Sequence, residues 1–590
     1  MNFIKTFLAG LLAFFVGMCL VVVFWIAVIA GLMGSMEKSV SVPAKAILKI
    51  DLAEGIADAP VSDPMAGFDP ATLRFSHSLS LMEALRALEA AADDERIQGI
   101  YLRLNGGGGV GGAAVMEELR EAIAAFRESG KFVVSYNETY SQGAYYLASA
   151  ADKIYMQPEG GMDWVGMSSQ LMFYKGLLDK LDLKVEVFRP TVCRYKSAVE
   201  PYILTRMSDE NRRQMQELVD SMWATLSGDV CEARGIDPAE MKRLTDNLQV
   251  VLPEDALAHG FVDGLVYEDQ MDDIFAELGA EKEGDDYAFV TLGDYASQVT
   301  VPLRGIDAGS VAVVYADGEI VDGEGSGKIY GNTLARTLRE QREDDKVKAV
   351  VVRVNSPGGS ALASDIIWRE MELLRAEKPV VVSMGSYAAS GGYYISCPAD
   401  VVLADRLTLT GSIGVFGMYL YTPDALKNKL GITLDGVKSN ASADMGTMAP
   451  LTPAQRASIM RGVDKVYETF TGKVAAGRNL PVERVLEIAG GRVWSGTEAK
   501  RIGLIDDFGG LKAAVAVAAD KAGLGDDYRV VEAVDEPSGM AAFFASLDAR
   551  VRAAFARPEL DGVMEEYAAV KEALSQRGVV MYCPYKIEVK

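Results

Sequence analysis

Ser390 lies among small residues, in Ala388-Ala-Ser-Gly-Gly-Tyr-Tyr394, a few positions after a run of β-branched residues. Glycines just after it permit a sharp turn and close approach of another chain, and such a turn is expected to leave the hydroxyl exposed. The plain alternative is an ordinary helix N-cap serine. A serine becomes a nucleophile only when a base takes its proton. The chain contains two histidines, His77 and His259. His259 falls where the matching segment of the second half has Ile502, so it is a poor base, and two histidines cannot make a histidine-rich metal site. A lysine can serve when burial lowers its pKa, because desolvation disfavours the ammonium form. Two lysines compete: Lys196, in Arg194-Tyr-Lys-Ser-Ala-Val-Glu-Pro-Tyr202, and Lys438, in Gly436-Val-Lys-Ser-Asn-Ala441. A solvated surface position is the ordinary reading of either.

Asn355-Ser-Pro-Gly-Gly-Ser360 supplies a second ingredient. Consecutive glycines between a strand and a helix can turn backbone N–H groups outward, where they stabilise a developing oxyanion. The same geometry suits phosphate, but GxxxxGK[ST] is absent and this loop holds no GxGxxG. Gly107–Gly112 can be forced onto GxGxxG, as any long glycine run can, and a tight turn is the reading there.

The elements that must position these residues occur twice. IQGIYLRLNGGGGVGG from Ile97, followed by KFVVS to Ser135, answers VKAVVVRVNSPGGSAL from Val347, followed by PVVVS to Ser383. Gly143–Asp152 answers Gly391–Asp400, and Gln142 stands where the second copy has Ser390. Each copy opens with a short strand (Ala46–Ile50, Val311–Tyr315) and continues with a helical pattern (Ser80–Ala92, Asn332–Arg342), with Ser80 and Asn332 as N-caps. Buried-type strands follow at Ile100–Leu104 and Val350–Val354, then further strands at Phe132–Ser135 and Val380–Ser383. Strand–helix alternation predicts an α/β fold with parallel strands. An offset near 250 residues indicates a duplicated domain rather than a solenoid. The boundaries read as 46–276 and 310–525 for the copies, 277–309 for a link that includes a short strand at Tyr287–Leu292, and 526–590 for a tail. Helical patterns at Met540–Ala556 and Val563–Arg577 suggest that the tail serves packing or assembly.

A 590-residue chain with 49% apolar and 24% charged residues can bury a large core. Its net charge of −24 argues against a nucleic-acid surface. Five dispersed cysteines form neither a disulfide framework nor a zinc pattern. Phe7–Met33, 27 residues without a charge, is long enough to span a bilayer and longer than a usual secretory h-region. Residues 1–40 are therefore expected to be an uncleaved transmembrane anchor. Lys5 on one side, and Lys38, Lys45 and Lys49 on the other, leave its orientation open.

Together, YKSAVEP, NSPGGS, YAASGGYYIS and TGSIGVFG resemble the S49 serine peptidases, the signal peptide peptidase A or protease IV family, in its long duplicated bacterial form. The resemblance runs from the anchor to about Asp520. It implies tandem crotonase-like, Clp-protease-like domains and a Ser/Lys dyad, with Ser390 as nucleophile and Lys196 as general base. It further implies that Ser412 orients the lysine and that Gly359, with Gly358 adjacent, supplies the oxyanion donors. The family implies a homotetramer without cofactor or metal, anchored in the cytoplasmic membrane with its catalytic domains on the outer side and acting on released signal peptides. Two other readings compete: a crotonase-type acyl-CoA enzyme, and a membrane scaffold without catalysis.

Overall fold

The computed structural model describes residues 41–52, 55–60, 79–104, 110–299, 308–446, 448–533, 579–583 and 585, with short pieces at 17, 68–69 and 74–75. The expected anchor, His77, most of the first glycine run (105–109) and the tail helices fall outside the described residues.

Two parallel sheets carry the fold. The first runs in the order Gly264–Leu265, Lys153–Met162, Phe132–Tyr140, Ile97–Arg103, Ala46–Asp51, Ala288–Thr291. The second runs Val493–Ser495, Leu409–Gly411, Val380–Ala389, Val347–Ser356, Ser310–Asp317, Arg529–Ala533, with Val401–Ala404 also beside Val380–Ala389. All neighbours are parallel except Val493–Ser495, which is antiparallel to Leu409–Gly411. The central strands are continuous valine runs because both their faces are buried. Val311, Val313, Val351 and Val381 face the core shared with the first half, whereas Ala312, Val314, Val350, Val352 and Val382 face the helices on the other side.

The duplication extends to individual hydrogen bonds. Tyr145 donates to the Phe261 carbonyl and Tyr393 to that of Leu504, each at 2.7 Å. Asp152 accepts from Val133 N–H at 2.8 Å, and Asp400 from Val380 N–H at 2.9 Å. The pairing register slips at the same place in both, between Ala46 and Ile47 and between Ser310 and Val311.

Ser80 caps the helix Leu81–Asp93: its hydroxyl accepts from Glu83 N–H at 3.3 Å and Glu83 accepts from Ser80 N–H at 2.9 Å. The second copy differs from expectation. Its helix is Gly331–Glu343, Tyr330 holds the N-cap position without a side-chain bond, and Asn332 already lies inside the first turn. At Gly331 the neighbouring helix approaches closely: a Cβ there would come 2.8 Å from that of Ala363. In the link 277–309 the short strand expected at Tyr287–Leu292 forms. Ala288–Thr291 forms the edge strand of the first sheet, and the helix Leu292–Gln298 follows it. The tail likewise contributes strands, Arg529–Ala533 on the second sheet and Val580–Tyr582 elsewhere.

A seam of buried charge joins the halves. Arg353 of the second sheet is 1% exposed and contacts Asp58 at 2.5 Å and Glu118 at 2.8 Å, both from the first half. Glu118 also accepts from Leu511 N–H at 2.6 Å. Beside it, Arg406 meets Glu117 at 2.5 Å and Asp229 at 2.8 Å, and Glu117 accepts from Leu407 N–H at 2.9 Å. Removing one member of a buried ionic group leaves its partners uncompensated, at a cost of roughly 3–5 kcal/mol. Arg353→Ala is therefore expected to lower unfolding stability by about that amount in urea titration; a change below about 1 kcal/mol would show that the seam does not hold the halves together.

Candidate active site

An arm of the first half carries Lys196 across the molecule. Lys184–Phe188 pairs antiparallel with Gly417–Tyr421 of the second half, in the register Phe188↔Gly417 to Lys184↔Tyr421. Beyond this pairing the chain turns, and Arg189 donates to the Lys196 carbonyl at 2.8 Å. Tyr195 N–H donates to the Gly490 carbonyl at 3.0 Å. Gln214, on the long helix Asp209–Arg234, donates to the Tyr195 carbonyl at 3.0 Å and accepts from Val493 N–H at 3.3 Å. It therefore ties the lysine segment to the edge of the second sheet.

Lys196 is 1% exposed. Its Nζ lies 2.6 Å from Ser390 Oγ, 2.9 Å from Ser412 Oγ and 3.0 Å from the Ser412 carbonyl. All three partners are uncharged. Burial therefore dominates and pulls the amine down to about 7, while the nearby Cys583 and Cys193 thiols oppose the shift. A neutral amine has two N–H donors and one lone pair. Two donors for Ser412 and a lone pair for the Ser390 hydroxyl match the three contacts. This arrangement can take a proton from the serine without first losing one of its own.

Ser390 ends the strand Val380–Ala389 and precedes the short helix Gly391–Ser396. Its φ of +57° is in the region that non-glycine residues avoid, and such residues store about 1–3 kcal/mol of strain. Ser390 N–H is fixed by the Gly411 carbonyl at 2.8 Å. Contrary to expectation, the serine is not exposed: its accessible surface is 0%. Ser412, the residue after Gly411, also has a positive φ, +51°. Its N–H donates to the Arg492 carbonyl at 2.7 Å.

Gly358–Ser360 is a strand in a small sheet, parallel to Ile320–Val321 on one side and antiparallel to Val580–Tyr582 on the other. Gly358 has φ +99° and Gly359 +153°. A Cβ on Gly359 would lie 1.9 Å from the Ile320 carbonyl oxygen, so no side chain fits there. Gly358 N–H donates to Ser356 Oγ at 3.1 Å.

Lys438 does not compete. It is exposed in the loop after Leu430 and pairs with Asp444 at 2.9 Å. His259 caps the far end of the helix Pro253–Ala258, half-buried and 3.9 Å from Glu240. In the first copy, Gln142 occupies the place of the serine. Its Oε1 accepts from Gly166 N–H at 2.9 Å and Val165 N–H at 3.3 Å, and its Nε2 donates to the Gly166 carbonyl at 3.3 Å. The amide therefore fills that site with bonds to its own backbone.

Sequence reasoning missed three contributors: Gln214, Ser356 and the glycine pair Gly490–Gly491. Gly491 has φ +84°, and a Cβ there would lie 2.5 Å from that of Lys196. The Ala489-Gly-Gly-Arg492 doublet was the available signal.

Comparison with known proteins fixes the class. A model described as peptidase family S49 matches residues 125–282 and again 372–525, once in each half. Protease 4 of Salmonella typhi is 36% identical over 86% of this chain and 84% of its own length. Protease 4 of Haemophilus influenzae is 37% identical over 74% and 72%, and a chloroplastic serine protease SPPA of Arabidopsis thaliana is 33% identical over 76% and 67%. The duplicated α/β frame is thus that of a serine peptidase. The chain belongs to peptidase family S49.

The depressed lysine gives a pH signature. Below about pH 7 Lys196 is an ammonium and has no lone pair for the serine; above it the amine is free. Labelling of Ser390 by a fluorophosphonate is expected to rise with pH, levelling near an apparent pKa of about 7. A rate independent of pH between about 5 and 8 would exclude a neutral amine as the base.

Proposed function

We propose that the chain is an endopeptidase in which Ser390 is the nucleophile and Lys196 the general base. The observation that carries this reading is the 2.6 Å approach of a buried lysine amine to the serine hydroxyl, with Ser412 engaging the remaining amine donors. Ser390 Oγ attacks a peptide carbonyl as Nζ takes its proton. The tetrahedral oxyanion is stabilised by the Gly359 N–H, with Gly358 adjacent. The Lys196 ammonium then returns its proton to the leaving amine. Water, deprotonated by the same amine, releases the acyl group. A thioester-binding crotonase has no use for an amine at this place, and a scaffold has none for either group.

The substrates in this reading are released signal peptides and other short or unfolded chains. Support comes from the family and from the apolar segment after Ser412, in which Ile413, Val415 and Phe416 are buried beside the site. The uncharged run Phe7–Met33 anchors the protein in the cytoplasmic membrane, with the catalytic halves on the outer side. The chain works as a homotetramer of Clp-protease-like, crotonase-type domains.

Ser390→Ala and Lys196→Ala are each expected to lower peptide hydrolysis by about a thousandfold or more, with circular dichroism unchanged. Turnover retained in a folded Ser390→Ala chain would overturn the assignment. A cleavage survey on denatured polypeptides is expected to show small and apolar side chains next to the scissile bond; a strict requirement for charged ones there would exclude the proposed groove.

A further inference from the structure

Glu200, in the same turn of chain as Lys196, is a buried carboxylate that the proposed chemistry leaves unused. Its partners are donors at the start of the long helix Asp209–Arg234. Oε2 accepts from Ser208 N–H at 3.1 Å and from Asn211 Nδ2 at 2.9 Å, and Oε1 accepts from the Ser208 hydroxyl at 2.5 Å. Ser208 is the N-cap of that helix. A helix N-terminus favours an anion, so the carboxylate is stabilised where it stands and clamps the helix to the segment that carries the lysine.

The contact is passed on along one face of the helix. Asn211 and Gln214 are three residues apart, so their side chains are neighbours, and both are buried. Asn211 donates to Glu200, and its Oδ1 accepts from Gln214 Nε2 at 3.2 Å. The same Nε2 lies 2.7 Å from Ser197 Oγ and 3.0 Å from the Tyr195 carbonyl, on the two residues that flank Lys196. Gln214 Oε1 accepts from Val493 N–H of the second half, and the neighbouring Arg492 carbonyl accepts from Ser412 N–H. One carboxamide thus takes its place from Glu200 and sets two others: the backbone on either side of the amine, and the strand end that holds the serine bonded to that amine. The task needs donors on one atom and an acceptor on the other, which a carboxylate or an apolar side chain of the same size lacks.

We propose that Glu200, Asn211 and Gln214 are a buried relay of positioning residues for the peptidase reaction, fixing the Lys196 amine against Ser390 and Ser412 from behind the site. The proposal rests on the Ser390 and Lys196 reading given above. The amine rides on a flexible four-carbon stem, so its place depends on the backbone beneath it. A misplacement of about 1 Å can cost on the order of a hundredfold in rate. The groups that act on the charge of Nζ are the Cys583 and Cys193 thiols, and no member of the relay is among them. A substitution in the relay therefore changes the position and hydration of the amine without removing a charged neighbour.

Gln214→Met keeps the volume and removes every polar contact. It is expected to lower the plateau rate of fluorophosphonate labelling at Ser390 by about tenfold or more. Its apparent pKa is expected to move upward from about 7, because an amine that regains water holds its proton more tightly. Peptide hydrolysis is expected to lose kcat with KM unchanged within about twofold. Glu200→Gln, a milder change that sets an amide N–H against the donors of Ser208 and Asn211, is expected to shift the profile in the same direction by less. A purely structural role would lower the unfolding midpoint and leave the pH profile of the folded fraction in place. If Gln214→Met does not fold, the Glu200→Gln profile decides alone. Variant profiles and plateau rates equal to those of a wild-type chain that labels normally would overturn the relay and leave the peptidase reading standing. A wild-type chain that does not label at Ser390 would defeat both.

Discussion

A lysine amine stripped of water and given only neutral partners is the constraint on which the rest of the molecule depends. Burying an ammonium without a counter-charge is costly, and a protein avoids that cost by releasing the proton. A carboxylate next to Nζ would reverse the effect and hold the charge. The two serines that surround it are therefore as consequential as the burial. Ser412 contributes both its hydroxyl and its carbonyl from a residue at positive φ, a conformation that presents the two oxygens on one side. Ser390 is held in a similarly disfavoured conformation by the Gly411 carbonyl. Strain at two adjacent points is tolerated because the valine-rich strands beneath them are packed on both faces.

Duplication supplied the frame, and divergence divided the labour. The bonds that stabilise each copy, such as Tyr145 to Phe261 and Tyr393 to Leu504, persist in both. The groups proposed to do the chemistry do not. Gln142 turns its amide back onto Val165 and Gly166, so the first copy has a structural amide where the second has Ser390. What the first copy retains is the arm that ends in Lys196. The ionic seam of Arg353, Asp58 and Glu118 joins the same two halves that bring amine and hydroxyl together.

Local features were legible in the sequence and distant ones were not. The capping box at Ser80 and Glu83, the valine strands and the glycine turn at Gly358 each leave a short pattern that backbone physics explains. Ser390 could be singled out from its glycine neighbours and from the scarcity of histidine. The choice between Lys196 and Lys438 was not decided by residue type or spacing, because it depends on the cross-half pairing of Lys184–Phe188 with Gly417–Tyr421. Pairing over so many residues imposes no periodicity of its own. For the same reason the strand Ala288–Thr291 was legible but not its pairing with the first sheet, and Val580–Tyr582 was lost within a tail judged by its helical patterns. Asn332 had the right chemistry for an N-cap, but the helix begins one residue earlier, at Gly331.

The order in which the groups leave the ribosome has a bearing on safety. The amine emerges early, on an arm whose partner strand has not yet been made, and the hydroxyl follows nearly two hundred residues later. Neither half alone brings the two together, because the pairing that carries Lys196 to Ser390 takes one strand from each.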